Sequence, residues 1–78
     1  MAVTNEIRRL RFEAGEMTQA ELAQRIGVTR QTVNAIEQGK YSPSLEAAFR
    51  IAHVFAKPLE AVFHFHSEEG QHEKGQSR

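Results

Sequence analysis

Residues 18–37 read TQAELAQRIGVTRQTVNAIE, and the stretch divides into two short helices around Gly27-Val28-Thr29. Thr18-Gln19-Ala20-Glu21 has the Thr-x-x-Glu form of a capping box, which starts a helix at about residue 19. Gly27 supplies the left-handed backbone that stops it. Thr29 caps a second helix over about residues 30–38, and Gly39 ends that one. Leu22, Ala23 and Ile26 share a face of the first helix; Val33 and Ile36 share a face of the second. Together with Val28 they fill the angle between the two helices, and Ala23 is small where the backbones approach. The second helix is left free to project outward.

This spacing predicts a helix-turn-helix over 18–37, with a recognition helix at about 30–38. The outward side chains of that helix are Arg30, Gln31 and Asn34, with Thr29 and Thr32 beside them. Arg pairs with guanine O6 and N7, and Gln or Asn with adenine N6 and N7. The plain alternative is a solvated helix face, but Glu and Lys would propagate a helix better than Asn or Thr.

The rest of the chain supplies a core for this pair. Ile7, Leu10 and Ala14 share a face of a helix over about 5–14, closed by Gly15. Ser44 caps a helix over about 45–56, where Leu45, Ala48, Ala52 and Phe55 form a stripe widened by Phe49 and Ile51. Pro58 suits the first position of a last helix over about 59–63, carrying Leu59, Val62 and Phe63. Five short helices sharing one core make an all-α domain. Phe63-His64-Phe65-His66 alternates with period two, a strand signal, and its available partner is Ala2-Val3-Thr4. In that strand Phe63 and Phe65 face inward and His64 and His66 outward. Residues 68–78, EEGQHEKGQSR, hold no apolar residue and read as a disordered polar tail, so the expected domain is 1–67.

Composition narrows the function. The chain has 78 residues, enough for one small domain, with 40% hydrophobic and 26% charged. It lacks cysteine and aspartate, so neither a disulfide frame nor a catalytic Ser/His/Asp or Cys/His set can be assembled, and no enzyme is expected. His64-x-His66 with Glu68 falls short of the three or four ligands a metal site needs, and His53 and His72 lie apart from them. No metal, cofactor or small-molecule ligand is expected. No apolar run is long enough for a membrane span and the start MAVTNEIRRL lacks a signal-peptide core, which points to the cytoplasm. Formal net charge is zero, yet residues 1–57 carry eight Lys/Arg against six Glu, while residues 58–78 carry two against four. A basic body of this kind binds DNA only if its cations share one face. Arg8 and Arg9 read as solvating the first helix, and Arg50 and Lys57 as ordinary surface charges.

Residues 30–52, RQTVNAIEQGKYSPSLEAAFRIA, extend the pattern through the Glu-x-Gly-Lys turn and the Pro-Ser-Leu helix start. Over about residues 4–63 the chain resembles the Cro/cI-type, or Xre, family of helix-turn-helix regulators, and within it the small single-domain type of a cytolysin-operon repressor. The resemblance implies a five-helix, lambda-repressor-like fold with room for a short terminal strand pair. It implies that Arg30, Gln31 and Asn34, with Thr29, read bases in double-stranded DNA. It implies phosphate contacts at Gln19, Thr32, Gln38, Gly39, Lys40 and Tyr41, and a structural ion pair between Arg11 and Glu37. A homodimer with its interface at Leu59, Val62, Phe63 and Phe65, acting as a repressor on a palindromic operator, completes the expectation. Lys57-Pro58 departs from the Ser-like cap usual before the last helix. Two alternatives stand beside this reading: an antitoxin that binds a protein toxin and represses its own operon, and a bridge to RNA or the transcription machinery.

Overall fold

The computed structural model describes residues 2–66. In chain order its elements are β1 (Ala2–Asn5), α1 (Ile7–Glu13), α2 (Gln19–Ile26), α3 (Arg30–Glu37), α4 (Leu45–Val54), α5 (Leu59–Val62) and β2 (Phe63–His66). The polar run expected from residue 68, and Ser67 before it, lie outside the described residues.

The helix starts follow their caps. Thr18 and Glu21 form the reciprocal box, each side chain taking the other's backbone N–H. Thr29 accepts from the Thr32 N–H and Ser44 from the Ala47 N–H. Gly27, at φ +81°, turns the chain between α2 and α3. Gly39, at φ +76°, ends α3 in a Schellman arrangement: its N–H meets the Ile36 carbonyl and the Lys40 N–H meets that of Ala35. Pro58 sits one position earlier than expected, as the residue before α5, because its ψ of 157° is still extended.

Ile7, Leu10, Leu22, Ile26, Val33, Ile36, Ile51 and Val62 form a single buried cluster, with Ala23 and Ala52 at close approaches. The helix-turn-helix angle is filled as its spacing predicts. Elsewhere the stripes differ in detail. Ala14 is exposed, and the loop residue Met17 fills the core beside α1 instead. On α4 the buried line is Ala48, Ile51 and Ala52, while Leu45 and Phe49 are 69% and 53% exposed. Apolar residues cover so much of this helix that their spacing alone does not select the inward face.

β1 and β2 pair antiparallel, with Val3 opposite Phe65, Thr4 opposite His64 and Asn5 opposite Phe63. Val3, Asn5, Phe63 and Phe65 therefore share one face of the sheet. Phe63 packs against the core; Phe65 points to the same face, as its alternation predicts, but is left 64% exposed there. On the opposite face His64 meets Glu6 at 3.2 Å and His66 meets Thr4 at 2.9 Å. The sheet is also tied to α3: Asn5 Nδ2 donates to the Ile36 carbonyl near the end of that helix, at 2.9 Å. Among the described residues no helix is long and apolar enough to cross a membrane.

Candidate nucleic-acid interface

α3 is amphipathic: Val33 and Ile36 anchor it, and Arg30 and Gln31 stand exposed at its start. Thr29 caps that start, and its hydroxyl lies 2.9 Å from that of Thr32. Asn34 follows one turn on, half-buried. Arg30, Gln31 and Asn34 share the outward side of the helix by their spacing, with Thr29 and Thr32 flanking them.

The face is held by a chain of hydrogen bonds rooted in an ion pair. Arg11 Nε and Nη2 donate to the two oxygens of Glu37 at 2.6 and 3.0 Å, a bidentate pair linking α1 to α3. Arg11 Nη1 also caps the Met17 carbonyl at 2.7 Å, so one guanidinium fixes the loop after α1 as well. Glu37 Oε1 accepts a further bond from Gln19 Nε2 at 3.1 Å. That same nitrogen donates to Asn34 Oδ1 at 3.1 Å, and Gln19 Oε1 accepts from Arg30 Nη1 at 3.2 Å. Gln38 Nε2 reaches Asn34 Oδ1 at 3.3 Å. Gln19, the first residue of α2, thus connects a part-buried ion pair to two outward side chains of α3. Gln31 stands outside the network and is exposed.

The remaining positions fall into two groups. Gln38, Gly39, Lys40 and Tyr41 are exposed in the loop that leaves α3. Leu59 and Phe63 are half-buried and Phe65 is exposed, but Val62 is fully buried. Val62, expected at a subunit interface, is packed in the monomer's own core, and its carbonyl accepts from the Glu6 N–H at 2.8 Å.

The Helix-turn-helix family model matches residues 7–62, which takes in all five helices. The chain belongs to the Xre-type helix-turn-helix family. Its relatives include an uncharacterized HTH-type transcriptional regulator of Archaeoglobus fulgidus, 53% identical over 53 residues, or 68% of this chain and 75% of the relative. One of Methanocaldococcus jannaschii is 49% identical over 68% of this chain and 80% of its own length. The regulator YgzD of Bacillus subtilis is 46% identical over 76% of this chain and 88% of its own.

Within this helix-turn-helix frame one residue stands where its sequence reading did not put it. A surface groove beside α3 is lined by Arg11, Gln19, Asn34, Glu37 and Gln38, and also by Arg8. The readable signal was spacing: Arg8 lies three residues before Arg11, on the same side of α1. Arg9 belongs elsewhere, held by Glu6 at 3.1 Å and Glu13 at 3.0 Å. Among the described residues no group of histidine and glutamate side chains is placed to hold a metal ion.

Proposed function

We propose that the chain is a sequence-specific DNA-binding transcriptional regulator, a homodimeric repressor that reads a palindromic operator through α3. One observation carries this reading: the side chains of Arg30 and Asn34 are oriented from below by Gln19, which rests on the part-buried Arg11–Glu37 pair. A hydrogen-bonding face supported in this way loses less side-chain freedom on binding. The relatives' naming as HTH-type transcriptional regulators supports the same role.

In this mechanism α3 enters the major groove. Arg30 donates to a guanine edge, Gln31 and Asn34 pair with bases beside it, and Thr29 lies at the helix start. Gln19, Thr32, Gln38, Gly39, Lys40 and Tyr41 fix the register through phosphates; the exposed N–H groups at the start of α2 suit an anion. One helix covers about four to six base pairs, too few to select a genomic site. Two copies with their α3 helices about 34–36 Å apart read two half-sites. Phe65 and Val3, exposed cross-strand neighbours at one end of the sheet, together with the half-buried Leu59 and Phe63, offer the apolar surface for that pairing. The expected cytoplasmic location belongs to this reading.

Readers and positioners separate by mutation. Gln31→Ala should cost about 1–3 kcal/mol on the cognate site and relax its specificity. Lys40→Ala should weaken all duplexes alike and lower the salt slope by about one. Equal behaviour of the two variants across operator sequences, measured by fluorescence anisotropy, would contradict the assignment.

A further inference from the structure

We propose that Arg8, on α1, is a phosphate-contacting residue of the DNA-facing surface, an inference that rests on the reading of α3 given above. Its surroundings separate it from the paired arginines of the body; Arg25 and Arg30 are likewise without an ion pair among the described residues, but of these three only Arg8 borders the grooves described next. Arg9 is held between Glu6 and Glu13, Arg11 by Glu37, and Arg50 by Glu46 at 2.6 Å. Arg8 makes no ion pair among the described residues and is exposed. It borders the groove beside Gln19, Asn34 and Gln38, and also the adjoining groove that runs past Phe12 to Thr18 at the start of α2. Two acids border these grooves: Glu37, already paired with Arg11, and Glu16.

The start of α2 explains why a cation there is useful. The Thr18–Glu21 box takes up the N–H groups of Thr18 and Glu21 and leaves those of Gln19 and Ala20 to an outside acceptor. A phosphate seated on them lies in reach of the grooves that Arg8 borders, and a guanidinium binds phosphate with two parallel hydrogen bonds. The zero net charge of the chain then has a structural meaning. Carboxylates neutralise Arg9 and Arg50, neither of which lines the groove, while Arg8, which does, and Arg30 on α3 make no ion pair among the described residues; Arg25, Lys40 and Lys57 are likewise unpaired.

The test measures binding by fluorescence anisotropy on a duplex selected from random DNA and on a scrambled duplex, each over a range of salt. Arg8→Ala is expected to weaken both duplexes severalfold and to lower the salt slope by about one. Arg8→Lys should keep the slope, and Arg9→Ala should leave affinity and slope near wild type. All three substitutions fall on exposed side chains, so thermal unfolding should show intact folds. Wild-type affinity and slope in Arg8→Ala, or an equal loss in Arg9→Ala, overturns the inference while leaving the role of α3 standing. A wild-type chain that binds neither duplex overturns both.

Discussion

Glu37 ties α1 to α3 and supports the outward side of α3 at once. Its carboxylate takes two bonds from Arg11 and one from Gln19, with only 7% of its side chain exposed against 15% for Arg11. Removing one partner of such a pair leaves a charge that water cannot fully reach. Glu37→Leu should therefore lower the unfolding free energy by about 3–5 kcal/mol in urea titration, and Arg11→Met in the same chain should restore much of it. A loss below about 1 kcal/mol would mean the pair is solvated like a surface contact. This pair was legible only through the family resemblance, because the two residues are 26 apart and no periodicity joins them. Arg8 and Arg9 show the opposite case. Arg9 has Glu6 three residues before it and Glu13 four after, whereas Arg8 has Asn5 and Phe12 at those positions. That local difference already separates the paired arginine from the unpaired one.

At the scale of elements, Glu6 joins the sheet to α1. Its N–H bonds the Val62 carbonyl, and its carboxylate bridges Arg9 and His64. The Arg9 hydrogen bond, working against desolvation and helped by the charge of Arg9 and by His64, holds this carboxyl below its ordinary value. A lowered value in the folded chain means the contribution is present above the unfolded value and is lost as pH falls through the folded one. The stability difference between wild type and Glu6→Gln should therefore narrow on acidification through the carboxylate range. A difference that stays constant with pH, in unfolding followed by circular dichroism, would remove Glu6 from this role. Elements with strong punctuation were legible: the capping box, Gly27, Gly39 and the period-two FHFH run all fall where their chemistry places them. The inward face of α4 was not, since Leu45 and Phe49 sit in the same apolar band as Ile51 and only packing decides among them.

The whole molecule is a small core from which two different surfaces emerge, one polar around α3 and one apolar at the terminal sheet. Its zero net charge is compatible with DNA binding because ion pairs take up Arg9 and Arg50 while Arg8 and Arg30 stay without a carboxylate partner among the described residues. The sheet surface carries the dimer proposal. Phe65 contributes little to the monomer core, so Phe65→Asp should keep the helical spectrum and sediment as a monomer; an intact dimer would move the interface elsewhere. The alternating strand was readable in the sequence, but its exposure was not, because the width of the core beneath it is set by all five helices together. Selection of bound sites from random duplex DNA with the full chain tests the central claim most directly. The account predicts an inverted repeat whose half-site centres lie about one helical turn, or about 10 base pairs, apart. Absence of enrichment, or a single unrepeated site, would contradict it.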